Sequence, residues 1–414
     1  MNYPRLELIL CDFRGTWLYP LTALENATAT WIDGKGALEV LLPDYIYPWN
    51  DLRVGRWIGV WLHQPGERPY HVQHYMIRRR QRGKDSQGRR FVKLRGMAPI
   101  GLLSWKAIQS LNLYESRYSS DGYLKVNARS DSTGAFTKND FADDMMRDFV
   151  RQQAGSYART ERSLATVLPF TVEGDRSLVP RQQVSAPWAN LLETLDKIAK
   201  ASREDRYRPV WVSHEVVVTG FDRQFALQYR VFVGSRGRML GSQAPIRLAL
   251  DETLFTELSL VEDHENEATV VYTFGIVRDQ ISNINFRAPA LEEGLYEWQA
   301  AKRRGTFPAN WIEKRYTLNE EVIREGMRQA GSRYLRENAP TRRVFGELAL
   351  DGRLRMLRDI QPGDVVVGTF GDVEQDWRVS GVEYSMAAND GLRIKPRLEA
   401  VEPTWPTLRL PNNY

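Results

Sequence analysis

The chain of 414 residues holds one cysteine, Cys11, and five histidines. A single thiol excludes an intrachain disulfide and fits a chain folded in a reducing cytoplasm. Only His71 and His74 lie close together, and strand geometry sends that spacing to opposite faces, a poor start for chelation. No run approaches the roughly 18 uninterrupted apolar residues of a membrane helix. The start, Met1-Asn-Tyr-Pro-Arg-Leu-Glu-Leu, lacks the basic-then-apolar pattern of a signal peptide. Also missing are a Gly-x-Ser-x-Gly elbow, a Gly-x-x-x-x-Gly-Lys loop and a His-Glu-x-x-His pair. Gly234-Ser-Arg-Gly237-Arg-Met-Leu-Gly241 departs from the dinucleotide fingerprint. Asp143 and Asp144 fall on a helix, where sequence neighbours point apart. The acidic cluster Glu262, Asp263, His264, Glu265 and Glu267 reads as a solvated hairpin between two strands. These absences point away from an enzyme and from any metal or cofactor.

What is present is aromatic and charged. Twelve Trp, 18 Tyr and 15 Phe favour strands and large buried contacts. With 42% hydrophobic and 26% charged residues the chain reads as soluble and globular, long enough for two to four domains. The net charge of +5 is unevenly spread. Arg78, Arg79, Arg80, Arg82, Lys84, Arg89, Arg90, Lys93 and Arg95 crowd one region opposed only by Asp85. Such a patch could touch phosphate backbones, but the plainer reading is a solvated hairpin loop at Gly83-Lys-Asp-Ser-Gln-Gly88.

Periodicity divides the chain. Residues 1–104 read as strands and turns, with Leu6, Leu8 and Leu10 alternating and Asp33-Gly-Lys-Gly36 separating two runs. Residues 105–139 form a connection, and 140–280 an α+β domain. In that domain Phe141, Met145 and Phe149 line one helix, Leu191, Leu195 and Ile198 a second, and strands follow. Residues 281–340 read as a helical connection, with a surface helix around Glu292 to Arg304. A second helix is expected to start at a Thr317/Glu320 capping box and to stop before Pro340. Residues 341–402 read as a C-terminal β-barrel unit and 403–414 as an arm around Trp405.

The first and last β units look like copies. Leu52-Arg-Val-Gly55 precedes a strand from Trp57, a second strand from Tyr70 and a third from Phe91. Ile360-Gln-Pro-Gly363 precedes strands near Val365, Trp377 and Leu392. A change of phase at Gly381 predicts a β-bulge, and Asn389-Asp390-Gly391 predicts the turn after it. Pro396 places its strand at an edge or out of the ladder. Duplicated barrels suit a scaffold better than an active site.

In order along nearly the whole chain, these elements resemble the tail-tip or baseplate hub proteins of long-tailed bacteriophages. The resemblance is carried by Asp33-Gly-Lys-Gly-Ala-Leu-Glu-Val, Leu52-Arg-Val-Gly55, Asp140-Phe-Ala-Asp-Asp-Met-Met and Trp188-Ala-Asn-Leu-Leu-Glu-Thr-Leu. Asn266-Glu-Ala-Thr-Val-Val-Tyr, Gly363-Asp-Val-Val-Val, Gly381-Val-Glu-Tyr and Asp390-Gly-Leu-Arg-Ile-Lys-Pro continue it. It implies an α+β, mainly β fold: two tail-tube-like β-barrel units, an intervening small α+β domain and a connecting helix. It also implies a homotrimer in the virion, made in the host cytoplasm, whose two barrels per chain form a pseudo-sixfold ring. The implied neighbours are a distal tail or tail-tube protein, tail-tip or fibre proteins, a tape-measure protein, and DNA passing through the channel without sequence-specific binding. The resemblance brings no catalytic residues. Arg78, Arg79, Arg80, Arg82, Arg89 and Arg90 are then expected to form a partner-contact loop. Two other readings compete: a nucleic-acid-binding protein using this basic loop, and a tail-associated cell-wall hydrolase.

Overall fold

The computed structural model describes residues 3–109 except 33, 137–203 except 159 and 161, 210–234 except 222 and 223, and 247–277 except 252. It further describes 297–302, 312–339 except 323, and 341–401 except 351–353, 371 and 372. The connection around 111–136, the glycine-rich stretch beyond Gly234 and the C-terminal arm lie outside these residues. The first strands are β1 (Arg5–Cys11), β2 (Trp17–Leu21), β3 (Asn26–Ile32), β4 (Ala37–Pro43), β5 (Trp57–His63), β6 (Tyr70–Lys84) and β7 (Arg90–Met97). A middle set follows: β8 (Thr137–Phe141), α1 (Ala142–Gln153), β9 (Phe170–Val172), β10 (Arg181–Ser185), α2 (Leu191–Arg203), β11 (Val212–Thr219) and β12 (Ala226–Val233). Then come β13 (Arg247–Ala249), β14 (Phe255–Asp263), β15 (Val270–Val277), β16 (Glu297–Lys302), β17 (Glu313–Val322) and α3 (Arg324–Glu337). The last strands are β18 (Thr341–Leu348), β19 (Val365–Phe370), β20 (Val373–Ala387) and β21 (Gly391–Ala400). The protein is therefore α+β and mainly β. It divides into two units, one built from the described residues up to Ser259 and from Phe345 onward, the other from Leu260 to Val344.

Thirteen strands join one sheet in the order β14-β18-β21-β20-β3-β4-β7-β6-β5-β1-β2, with β19 on β20 and β13 on β19. Alternation explains its two faces. Ala27, Ala29 and Trp31 of β3 and Leu38, Val40 and Leu42 of β4 are buried, while Thr28, Thr30, Glu39 and Leu41 between them are only half-buried. Pro396 is not at an edge: β21 lies between β20 and β18, and Pro396 faces Val382. A bulge between Val379 and Gly381 already interrupts the ladder beside it, so a missing N–H is tolerated there.

The apolar side of the sheet meets an α+β layer. There β11, β12 and β9 form a three-stranded sheet, with α1 against α2 and β12 and α2 against β11. Phe225 packs edge-on against Trp57 at 5.3 Å. The buried Glu215 carboxylate accepts hydrogen bonds from Trp31 Nε1 at 3.2 Å and Gln73 Nε2 at 3.4 Å. Helix α1 carries a fully buried Arg147, bonded to Asp143 at 2.8 Å, Asp144 at 3.0 Å and Glu173 at 2.9 Å. The same two aspartates accept backbone N–H bonds from Arg176 to Val179, which pins that loop to the helix. Adjacent on the helix, they converge because one long guanidinium bridges them, and their role is structural.

In the second unit β15 lies between β16, antiparallel, and β17, parallel, and α3 packs on all three. Ala268, Val271 and Leu335 form its core beside Tyr316 and Tyr334. Two expectations fail here. The segment from Thr317 continues a strand to Val322 and the helix starts at Arg324, because pairing with β15 overrides the helical spacing and the capping box. The expected surface helix contains instead β16, Glu297–Lys302, in register with Val270–Gly275. The helix does end before Pro340, at Glu337, where the Asn338 side chain donates to the Tyr334 carbonyl. The acidic cluster is not a hairpin, since β14 and β15 belong to different sheets; His264 and Glu267 bond across the intervening turn at 2.8 Å.

Cys11 is fully buried on β1, and burial, reinforced by Asp12, pushes its thiol up to about 12. Its thiolate is therefore scarce near neutrality. In the native protein at pH 8 a maleimide or disulfide reagent should leave Cys11 unmodified, and denaturant should make it react fully; rapid native labelling would contradict this placement.

Candidate interaction surface at the sheet edges

Gly55 and Gly363 sit at the same point of two identical backbone devices. Arg53–Arg56 and Gln361–Asp364 are tight turns, closed by Arg56 N–H to Arg53 O at 3.2 Å and by Asp364 N–H to Gln361 O at 3.0 Å. The third residue of each is glycine at φ 94° and 92°, as a type II turn requires. Gly55 N–H donates to Ile77 O at 2.8 Å and Ile77 N–H returns to Arg56 O at 2.8 Å. Gly363 N–H donates to Val379 O at 2.8 Å and Val379 N–H to Asp364 O at 2.9 Å. A bulge follows at once in each second strand, between Ile77 and Arg79 and between Val379 and Gly381. Ile58 faces Tyr75 as Val366 faces Trp377. Leu52 and Ile360, three residues before each glycine, are buried.

The equivalence extends to five strands. In chain order β3, β4, β5, β6, β7 correspond to β14, β18, β19, β20, β21, and the sheet arranges both sets alike, as β3-β4-β7-β6-β5 and β14-β18-β21-β20-β19. Residues 33–36 join the first two strands of the N-terminal block; in the C-terminal block residues 264–340 stand in that place. Ala349 N–H donates to Leu254 O and Thr256 Oγ1 to Glu347 O, so β14 and β18 run antiparallel like any hairpin.

The blocks join where Gly381–Ala387 of β20 pairs with Ile32–Asn26 of β3. On β6 the corresponding stretch, Arg79–Lys84, pairs with β7 alone, because β5 covers only Tyr70–Met76. Among the described residues no strand lies on that side, and β14, the first strand of the other block, has β18 as its one neighbour.

The six expected contact arginines lie on this β6–β7 hairpin, and four are engaged by their own chain. Arg78 stacks on Trp105 at 4.3 Å and Arg80 on Trp49 at 4.1 Å, also donating to the Trp49 carbonyl at 2.7 Å. Arg82 pairs with Asp44 at 2.6 Å and Arg89 with Asp85 at 2.8 Å. Arg79 and Arg90 are exposed, and no side-chain hydrogen bond or ion pair holds them among the described residues. Nearby, Lys93 and Arg95 share Glu39, whose carboxyl these cations hold below its ordinary range. The sequence pattern missed Trp49, Trp105 and Asp44, which carry no local signal and arrive from distant turns.

His71 and His74 do meet, against expectation. A register shift between Val60 and Trp61 places an extra residue in β6 and turns both rings to one side. His71 Nε2 lies 2.8 Å from His74 Nδ1, with Trp61 and Phe221 around His71 and Phe225 at 4.2 Å from His74. One nitrogen donates and the other accepts, and burial disfavours a charge on either ring. His74 Nε2 is buried without a partner, aimed at Gly59. Burial pushes His71 down to about 3 and His74 well below the usual range, His74 being the stronger case because none of its surface is exposed. Among the described residues no three His, Cys, Asp or Glu side chains are grouped to hold a metal.

No protein-family model matches the chain, and no curated protein is similar to it in sequence. Solved structures are similar in fold. The tail protein from Neisseria meningitidis MC58 aligns over 95% of this chain and 96% of its own at 12% identity and a TM-score of 0.51. The 43 kDa tail protein of prophage MuSo2 from Shewanella oneidensis aligns over 95% and 98% at 12% identity and 0.52. A half-lidded PdpA–VgrG complex from Francisella aligns over 96% of this chain and 58% of the matched one at 9% identity and 0.50. The chain thus has the fold of phage and prophage tail proteins.

Two outcomes test this geometry. Gly55→Ala forces a side chain into φ 94° with its Cβ 3.1 Å from the Phe13 ring, and should lower stability by about 1–2 kcal/mol in denaturant unfolding. Unfolded histidines titrate near 6.5, so below that pH the unfolded chain takes up protons that the buried pair refuses. Stability contributed by the pair is complete above pH 6.5 and falls progressively toward pH 3. The double variant His71→Gln, His74→Gln should show a shallower decline in melting temperature over that window; an unchanged slope would refute the assignment.

Proposed function

We propose that this protein is a structural hub of a phage tail, a homotrimer in the virion that forms a pseudo-sixfold ring between the tail tube and the tip. The observation that carries the proposal is the doubled five-strand block, joined edge to edge within one sheet by β3 and β20. Each chain supplies two near-equivalent blocks at consecutive positions, so three chains supply the six that match a sixfold tube. The fold shared with tail proteins from Neisseria and Shewanella supports the setting.

In this reading the ring surrounds a channel for DNA or a tape-measure protein, with a distal tail or tail-tube protein on one side and tip or fibre proteins on the other. Its role is mechanical: it passes load and cargo and carries out no reaction. The basic hairpin is an assembly surface rather than a nucleic-acid site, since Arg78, Arg80, Arg82 and Arg89 are already committed to aromatic and acidic groups of the same chain.

Light scattering of the purified protein should give three times the chain mass, alone or beside its tube-side partner, and averaged electron-microscope images should show a threefold ring. A monomer at every concentration, with and without the partner, would overturn the proposal.

A further inference from the structure

We propose that the unpaired side of β6, Arg79–Lys84, takes β14 of a second copy of this chain, antiparallel, as β20 takes β3 within the chain. This rests on the ring reading and specifies the interface that would close it.

Three observations converge. The first is position: the strand that fills this side in the C-terminal half is β3, the first strand of its block. The other first strand is β14, which has one neighbour and stands at the end of the sheet. Two blocks in the same order leave a fourth-strand edge on β6 and a first-strand edge on β14, and each is the complement of the other. The second is that proline blocks neither edge. The β14 sequence Phe-Thr-Glu-Leu-Ser-Leu-Val-Glu-Asp contains no proline, and a long uncovered edge invites pairing.

The third is charge. β14 carries Glu257, Glu262 and Asp263, whereas Arg79–Lys84 of β6 carries Arg79, Arg80, Arg82 and Lys84, of which Arg82 is already paired with Asp44. Glu262 already pairs with Arg342, but Glu257 and Arg79 have no ion pair among the described residues. The junction inside the chain is nearly neutral by contrast: β3 has no charged residue, and Gly381–Ala387 has only Glu383. Opposite charges across one junction and almost none across the other discriminate between the two first strands, favouring β14 on β6 and β3 on β20. Glu257 and Ser259 are exposed while Leu258 and Leu260 are half-buried, and both exposed residues line one groove with Thr30 and Glu383. On β6 the counterparts of Gly381 and Glu383 are Arg79 and Gln81.

The experiment uses the full chain and two kinds of variant. Arg79→Glu with Gln81→Glu should weaken trimerisation in light scattering at least about tenfold in concentration, and adding Glu257→Arg should recover most of the loss. Separately, Gln81→Cys combined with Glu257→Cys or with Ser259→Cys should, in one of the two combinations, give covalent dimers and trimers on oxidation. Directly opposed antiparallel residues lie within disulfide reach, and the buried Cys11 supplies no background. Unchanged melting curves confirm that the variants fold, and the cysteine pairs read the interface without altering charge. A wild-type trimer that neither charge reversal nor either cysteine pair affects would overturn this pairing and leave the ring standing. A wild-type monomer without cross-links would overturn both.

Discussion

The pairing of β3 with β20 is the contact on which the rest of the architecture depends. Seven residue pairs, Asn26–Ile32 against Ala387–Gly381, bring together segments from opposite ends of the chain. The entropy of closing so long a loop grows only with the logarithm of its length, and each buried backbone group left unpaired would cost more than its hydrogen bond gains. Once this ladder forms, the two blocks share one sheet and one apolar face, and the α+β layer has a single surface to cover.

How the layer adheres is as specific as the sheet. Apolar packing, as between Phe225 and Trp57, supplies non-directional adhesion, while Glu215 under Trp31 and Gln73 fixes alignment because a buried carboxylate tolerates few arrangements. Arg147 does the same inside the layer. Replacing one member of such a cluster strands the others in a low-dielectric site, so these groups enforce geometry more than they add stability.

What could be read from sequence was local. The glycine before each repeated strand, the bulge at Gly381 and helices α1 and α2 are decided by φ preferences and by periodicity within a few residues. What could not be read was decided by distant partners. The Thr317 segment has a helical pattern and becomes a strand because β15 lies alongside it; Pro396 is an ordinary edge signal that a neighbouring bulge neutralises. His71 and His74 met only through a register shift that no composition announces, and the arginines found their tryptophans through turns tens of residues away. The charge run itself was plain, yet which of its members were already occupied was not.

The second unit interrupts the C-terminal block between β14 and β18, the place that four residues, 33–36, fill in the other block. A hairpin tip is where chain can be added with least disturbance, since the two strand ends already stand side by side. The insert is present once per chain, whereas the five-strand block is present twice. In the proposed ring the block would recur six times and the insert three times, so the reduction in symmetry would be written into the covalent chain.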